Sequence, residues 1–191
     1  MLTDSQIFDR LTRAGALLTG HFRLRSGLHS NRFFQAALAL QYTDVAAELC
    51  GELAERVRDA SLAVDTVIAP AIGGIVVGQE VGRALGSRAI FAEKEGDDKL
   101  TLRRGFQIER GENILVCEDV VTRGGRVQQT IDLVRRQGGT VAGVAVLADR
   151  SEGSVDFGVP FLNLIKLHLE TYPPDNCPLC KQGGNAEKPG S

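Results

Sequence analysis

Residues 113–137 combine acidic side chains, glycines and a helical apolar stripe in an order that suits a phosphorylated sugar. An apolar run ends in Glu118 and Asp119, and the turn Thr-Arg-Gly-Gly follows at residues 122–125. Glycines at a strand-to-helix junction let backbone N–H groups approach an anion, and the helix N-terminus adds partial positive charge. Two carboxylates repel phosphate, so their expected partners are vicinal hydroxyl groups or a divalent cation. Together these features predict a ribose phosphate site.

A second apolar run, at residues 64–70, also leads into a glycine pair. Gly73 and Gly74 follow this run and precede a stretch with helical periodicity. Backbone N–H groups at such a turn can form a second anion site, although the same glycines can serve only to close a tight turn. Neither segment matches a Walker loop or a dinucleotide-binding fingerprint, because the required glycine patterns are absent.

Composition narrows the class of protein. The chain has 191 residues, of which 43% are hydrophobic and 24% charged, as expected for one globular domain. Its formal net charge of −2 argues against general attraction to nucleic acid. The first residues lack a signal-peptide pattern, and no apolar stretch approaches the roughly 18–20 residues that span a bilayer. We therefore expect a cytoplasmic protein with no nucleic-acid or membrane partner.

The four cysteines are too few and too dispersed for a disulfide framework. Cys117 lies in an apolar run and is expected to pack there. Cys177 and Cys180 form a CxxC that can be half of a zinc site or a redox pair. Neither a second CxxC nor a histidine at the usual spacing accompanies it, so the sequence predicts no metal ligands unless two subunits each supply a pair.

Strands and helices alternate from residue 63 onward, which predicts an α/β protein with a central, mainly parallel sheet flanked by helices. The predicted strands are 64–70, 89–92, 113–119, 141–148 and 161–165, and the predicted helices are 44–58, 74–85 and 127–137. The first 40 residues or so form a small N-terminal hood, with a helix at 5–14 and a hairpin of 21–25 with 32–38. Residues 93–106 are expected to form a mobile or ribbon-like loop. The single domain is predicted to span 1–172, before an extended tail at 173–191.

Residues 116–126, Val-Cys-Glu-Asp-Val-Val-Thr-Arg-Gly-Gly-Arg, resemble the phosphoribosyl pyrophosphate signature of type I phosphoribosyltransferases. Over about residues 3–170 the chain is similar to the orotate phosphoribosyltransferases of that family, which implies the type I phosphoribosyltransferase fold. Arg123 and Arg126 depart from the family, where Thr, Ser or Ala is usual, and Gly73 stands where lysine is common. The implied phosphoribosyl pyrophosphate site comprises Gly73, Gly74, Lys94, Glu118, Asp119, Val120, Val121, Thr122, Arg123, Gly124, Gly125 and Arg126.

The same resemblance implies which residues contact orotate: Arg25, Phe33, Phe34, Thr122 and Arg150. Arg150 ends an apolar run, and its planar guanidinium can bind a carboxylate through two parallel hydrogen bonds. The two phenylalanines are also consistent with simple packing inside the hairpin.

The implied reaction is displacement of pyrophosphate from phosphoribosyl pyrophosphate by orotate, giving orotidine 5′-monophosphate in de novo pyrimidine (UMP) biosynthesis. Lys94 and Lys99 are the implied catalytic cations, and Mg²⁺, bound mainly through pyrophosphate, is the implied cofactor. The family's loop reaches a neighbouring subunit's site, which implies a homodimer. Two alternatives stay open: a purine phosphoribosyltransferase, and a regulator of this fold that binds phosphoribosyl pyrophosphate without turnover.

Overall fold

The computed structural model describes residues 1–24, 26–96 and 99–189. Its strands are β1 (Leu17–Arg23), β2 (His29–Phe34), β3 (Thr66–Pro70), β4 (Arg88–Glu95), β5 (Lys99–Leu102), β6 (Asn113–Val121), β7 (Thr140–Asp149) and β8 (Phe161–Lys166). Its α-helices are α1 (Asp4–Arg13), α2 (Ala36–Leu40), α3 (Thr43–Asp59), α4 (Gly74–Leu85), α5 (Gly125–Arg136) and α6 (Pro178–Lys181). None of these helices is both long and apolar enough to cross a bilayer.

Six strands form the central sheet in the order β5-β4-β3-β6-β7-β8. The β3–β4, β3–β6, β6–β7 and β7–β8 pairs are parallel, and β5 pairs antiparallel with β4. The predicted mainly parallel α/β sheet is therefore confirmed. The antiparallel β4–β5 pair also confirms the ribbon predicted within residues 93–106, although Asp97 and Asp98 lie outside the described residues.

Both faces of the sheet are buried, as the near-continuous apolar strands require. In β6, Leu115 and Cys117 contribute to the core under α1, α3 and α4, whereas Ile114 and Val116 contribute to the core under α5. Cys117 is fully buried, so its expected packing role is confirmed. Because successive side chains of β6 point to opposite faces of the sheet, this one strand contributes to both cores.

The chain runs from β3 to β4 on one side and later returns to place β6 on the other side of β3. The carboxyl ends of β3 and β6 therefore flank the point where the strand order reverses. Open α/β sheets bind ligands in the crevice outside the strands at this point. The sheet thus positions the two glycine turns, which follow β3 and β6, beside each other.

Three helix starts differ from their predictions, and the largest difference is in α5, which begins at Gly125 instead of residue 127. The helix α1 begins one residue early because Thr3 and Gln6 form a capping box, in which the Gln6 N–H donates to Thr3 Oγ1 at 3.3 Å. The helix α3 begins at Thr43, one residue before its predicted start, and its N-cap residue Tyr42 makes no side-chain cap hydrogen bond. Burial of its apolar stripe fixes this helix instead.

The hood contains the predicted hairpin, but β1 and β2 form a separate two-stranded sheet. The predicted strand 32–38 is wrong beyond Phe34, because α2 begins at Ala36. Its sequence, Ala-Ala-Leu-Ala-Leu, consists of strong helix formers.

The tail is not the predicted extended arm. It forms a 3-10 turn at Pro174–Asn176 and the short helix α6, and it then returns to the hood. Glu187 bridges to Phe22, and Tyr172 bridges to His29. The tail therefore packs against β1 and β2 through backbone hydrogen bonds.

Candidate active site

The acidic pair lies directly against the first glycine turn. A Cβ added to Gly73 would lie 2.8 Å from Asp119 Oδ2, and one added to Gly74 would lie 2.8 Å from Glu118 Oε1. Any side chain at either position would displace these carboxyl groups. The glycines thus allow the acidic side chains to approach the turn closely, and the two segments singled out in the sequence form one site.

Burial makes this acidic pair electrostatically unusual. Glu118 is 7% exposed, and desolvation together with the neighbouring Asp119 raises its pKa to about 9. Desolvation also raises the pKa of Asp119. The Val120 N–H donates to Asp119 Oδ1 at 2.7 Å, and the Asp119 N–H donates to Glu118 Oε1 at 3.2 Å. The pair therefore holds a proton near neutral pH, since two adjacent buried carboxylates repel each other.

The second glycine turn starts α5. Gly124 has φ +73°, and a Cβ there would lie 2.9 Å from the Phe157 ring. Its carbonyl accepts the first intrahelical hydrogen bond, from the Gln128 N–H at 2.9 Å. The N–H groups of the first helical residues have no partner within the helix, which leaves them available to bind an anion. Arg126 lies in this first turn and donates to Gln129 Oε1 at 2.9 Å.

A cavity of about 660 Å³ adjoins this turn and lies between the hood and the ends of β7 and β8. Four of its lining residues were predicted site residues: Phe33, Thr122, Arg123 and Arg150. The other lining residues were not assigned from the sequence: Leu24, Ser26, Leu28, Ser151, Glu152, Ser154, Leu167, Leu169 and Thr171. Ser26 was visible in a Ser-Gly turn of the hood, and Leu167 and Leu169 show strand-like alternation after β8.

A tight network positions Arg150 at this cavity. Asp149 Oδ1 accepts hydrogen bonds from the Ser151 N–H at 2.8 Å and from the Ser151 hydroxyl at 2.6 Å. The Arg150 N–H donates to the Val121 carbonyl at 2.8 Å. The side-chain Nε of Arg150 is buried without a hydrogen-bond partner in the described structure, and burial lowers the pKa of this guanidinium. Because Arg150 lines the cavity, a planar anion bound there could contact its guanidinium group.

Several predicted site residues lie elsewhere. Phe34 is 4% exposed and belongs to the core, not to the cavity lining, because successive strand residues point to opposite faces and only Phe33 faces the cavity. Val121 is buried in the core under α5, whereas Val120 packs against the core on the other face of the sheet. Arg25 lies outside the described residues.

The predicted catalytic lysines lie on the β4–β5 ribbon. Both lysines are exposed. In the antiparallel register of the two strands, Lys94 lies opposite Leu100 and Lys99 lies opposite Glu95. Neither is among the cavity-lining residues. Nearby, Glu93 forms ion pairs with Arg103 and Arg104. The ribbon therefore carries several cationic side chains besides the two lysines.

The chain matches known proteins over its whole length. Residues 39–157 match the phosphoribosyl transferase domain family. The orotate phosphoribosyltransferase of Pelotomaculum thermopropionicum is 53% identical over 190 residues, which cover 100% of this chain and 98% of that protein.

Solved structures share the fold at lower identity. The orotate phosphoribosyltransferase of Aeropyrum pernix has a TM-score of 0.73 at 24% identity, over 83% of this chain and 92% of that chain. The adenine phosphoribosyltransferase of Thermoanaerobacter pseudethanolicus has a TM-score of 0.63 at 20% identity, over 71% and 88%. Enzymes named for different bases therefore share this fold, so the fold alone does not identify the base. The relative that is 53% identical is named for orotate. The acid and glycine turns and the Arg150 cavity agree with this relationship. The chain therefore belongs to the orotate phosphoribosyltransferase family of type I phosphoribosyltransferases.

Proposed function

We propose that this protein transfers the 5-phosphoribosyl group from phosphoribosyl pyrophosphate to orotate, yielding orotidine 5′-monophosphate and pyrophosphate for pyrimidine biosynthesis. The observation that carries the proposal is the buried, unpartnered Nε of Arg150 in a cavity that adjoins the acid and glycine turns. Orotate is a planar carboxylate, and an arginine fork binds such a group bidentately.

The phosphoribosyl end of the substrate is assigned to the crevice between β3 and β6. The N-terminal amides of α5, after Gly124 and Gly125, hold the 5-phosphate, and the turn at Gly73 and Gly74 holds the pyrophosphate. Glu118 and Asp119 lie between the two turns and accept hydrogen bonds from the ribose hydroxyls. Their contact with the glycine turn supports this arrangement, because it leaves the diol site between the two phosphate sites.

The orotate end is assigned to the cavity. Arg150 binds the carboxylate, Phe33 contacts the planar ring, and Thr122 lies at the junction with the ribose site. Four leucines of the lining exclude water from the ring: Leu24, Leu28, Leu167 and Leu169. Arg123 also lines the cavity and is placed to add positive charge near the reacting centre.

The acidic pair has a role in the reaction as well as in binding. Displacement at C1 passes through a state with positive charge on the ribose, which nearby carboxylates stabilise electrostatically. Because Glu118 and Asp119 hold a proton in the ligand-free protein, their full negative charge develops only when cationic charge is close. Mg²⁺ would be held mainly by the pyrophosphate oxygens, near the turn of Gly73 and Gly74, where it would supply charge neutralisation for the leaving group.

Lys94 and Lys99 are assigned to the pyrophosphate. The family resemblance, in which this loop reaches a neighbouring subunit's site, supports a working homodimer in which the ribbon closes over the partner's crevice. A cytoplasmic location is proposed as well, in keeping with the sequence prediction.

The activity assay follows the loss of orotate absorbance with purified protein, phosphoribosyl pyrophosphate and Mg²⁺. Turnover is expected with orotate, whereas parallel reactions with hypoxanthine, adenine and uracil should show little product. Rapid turnover of a purine base without turnover of orotate would support the purine alternative. Tight binding of phosphoribosyl pyrophosphate without turnover of any base would support a regulator.

A further inference from the structure

Two histidines of the hood and two cysteines of the tail meet at one point. His21 lies in β1, His29 begins β2, and Cys177 and Cys180 lie at the start of α6 and within it. One donor atom of each side chain lies within 4.8 Å of the other three. More than 150 residues separate the histidines from Cys180 in the sequence, so spacing alone could not reveal this set.

Backbone structure builds the cluster from both sides. Thr19 pairs with Arg32 and Phe22 with Ser30, so β1 carries one extra residue between these pairs, as in a β-bulge. The bulge places the His21 ring edge-on to the His29 ring, with centroids 4.9 Å apart.

The tail is anchored on each side of its cysteines. The Glu187 N–H donates to the His21 carbonyl at 2.8 Å, and the His29 N–H donates to the Tyr172 carbonyl at 2.8 Å. The backbone groups of His21 and His29 therefore also anchor the two ends of the tail.

The donor-to-donor distances match a tetrahedral metal centre. His21 Nε2 lies 3.0 Å from His29 Nδ1, 3.6 Å from Cys177 Sγ and 3.7 Å from Cys180 Sγ, and His29 Nδ1 lies 3.3 Å from Cys180 Sγ. A tetrahedral zinc ion, with Zn–N of about 2.0–2.1 Å and Zn–S of about 2.3 Å, separates its ligands by about 3.3–3.8 Å. To reach the tetrahedral geometry, the two ring nitrogens, now 3.0 Å apart, must separate slightly, and any wider pair of the set, which spans up to 4.8 Å, must close.

Hydrogen bonding alone does not account for this arrangement. A ring nitrogen carries either one proton or one lone pair, yet His21 Nε2 faces His29 Nδ1 and both sulfurs. A central cation accepts one lone pair from each of the four donors. His21 Nδ1 is buried, has no hydrogen-bond partner within the described residues, and carries the proton when Nε2 is a ligand.

We propose that His21, His29, Cys177 and Cys180 bind one zinc ion that clips the tail to the hood. The mixed nitrogen and sulfur set favours zinc, and four protein ligands leave no open position for catalysis. None of the four lines the orotate cavity, but the same hairpin carries Leu24, Ser26 and Leu28 of the lining. The ion therefore has a structural role, fixing the hood over the cavity, and its presence does not depend on the transferase activity.

Metal analysis of the untagged full-length protein, expressed with added zinc, tests this proposal. We expect close to one zinc ion per chain. His21→Ala and the double variant Cys177→Ser/Cys180→Ser should lose most of that zinc. The matched control is His168→Ala, because His168 is exposed and pairs with Glu152 at 2.8 Å, outside the cluster. Little zinc in the wild type, or equal zinc in all variants, would overturn the proposal.

Two further measurements guard against variants that fail to fold. Cobalt introduced into the wild-type protein should give the intense visible absorption of a tetrahedral sulfur-containing site, and zinc should displace it. A chelator should lower the melting temperature of the wild type but not that of a folded cysteine variant. A Cys177–Cys180 disulfide in freshly purified protein, detected by thiol counting, would instead establish a redox pair and overturn the zinc site.

Discussion

At the scale of single residues, the properties of the site come from buried polar groups whose charge or hydrogen-bonding capacity is not compensated within the described structure. Glu118 is held under the glycine turn with a raised pKa, and the Arg150 Nε has no partner in the described structure. Each group is costly in the ligand-free protein and becomes satisfied when a ligand supplies the opposite charge or hydrogen-bond type. Both therefore give predictions that single substitutions can test.

Stability should depend on pH through Glu118. Its pKa rises from an ordinary 4.5 to about 9 on folding, so the folded state binds more protons between these values. The free energy of unfolding should therefore fall as pH rises from about 5 to 8, by at most about 1.4 kcal/mol per pH unit for one proton. Chemical denaturation at several pH values measures this slope.

Glu118→Gln should flatten that pH dependence, because the amide does not titrate. The control is Glu109→Gln, the same change on an exposed side chain, which should keep the wild-type slope. Equal slopes for the wild type and Glu118→Gln would show that Glu118 does not hold the proton.

Arg150→Lys should weaken the use of orotate selectively. Lysine keeps the charge but loses the planar fork, and a hydrogen bond to a charged group contributes about 1.5–3 kcal/mol, so kcat/KM for orotate should fall roughly 10- to 150-fold. The KM for phosphoribosyl pyrophosphate should stay close to the wild-type value. Arg136→Lys, on the exposed end of α5, is the control. An equal loss for both substrates would argue against carboxylate recognition by Arg150.

Glu118 and Asp119 could be identified from the sequence because they follow an apolar run, although β6 continues past them to Val121. Arg150 could be identified because it ends another apolar run and because of the family resemblance. Sequence analysis assigned Phe33 and Phe34 together, although strand alternation places only Phe33 at the cavity. The leucines of the lining were missed because they come from separate segments, and only the tertiary fold brings them together.

At the scale of elements, the two strand-to-helix turns determine the geometry of the crevice. Their glycines have different roles: Gly73 and Gly74 admit the acidic side chains, whereas Gly124 adopts a positive φ beside Phe157. Elements of the central sheet were predicted well, since each is a strongly patterned apolar run. The α2 helix and the folded tail were not, because the former is short and the latter is held by contacts distant in sequence.

Adjacent glycines in the second turn should respond in opposite ways to alanine. Gly124→Ala should lower the free energy of unfolding by about 1–3 kcal/mol, since its Cβ would meet the Phe157 ring at 2.9 Å and its φ is +73°. Gly125→Ala should be neutral or stabilising by up to about 1 kcal/mol, because it lies in α5 and its Cβ would meet nothing within 4 Å. Urea denaturation compares the two, and similar effects would contradict the strain assigned to Gly124.

At the scale of the whole molecule, the sheet and the hood together form the crevice and the cavity, and the proposed second subunit would add its ribbon. The switch between β3 and β6 could be anticipated from the alternation of strands and helices. The cluster of His21, His29, Cys177 and Cys180 could not, because it depends on the tail folding back over the hood.

Subunit complementation should reveal a shared site. One variant is Glu118→Gln/Asp119→Asn, which lacks the diol site, and the other is Lys99→Ala, which lacks a ribbon cation. If the ribbon acts on the partner, random mixing of the two weakly active variants should restore about a quarter of wild-type activity in twofold dimers. Activity that stays at the average of the separate variants would contradict action between subunits.

The most direct measurement is a crystal structure with phosphoribosyl pyrophosphate, Mg²⁺ and an unreactive orotate analogue bound. The account predicts the ribose diol on Glu118 and Asp119, the 5-phosphate at the start of α5, the pyrophosphate at Gly73 and Gly74, and the analogue's carboxylate on Arg150. A sugar phosphate bound away from the crevice between β3 and β6, or an analogue outside the Arg150 cavity, would contradict it.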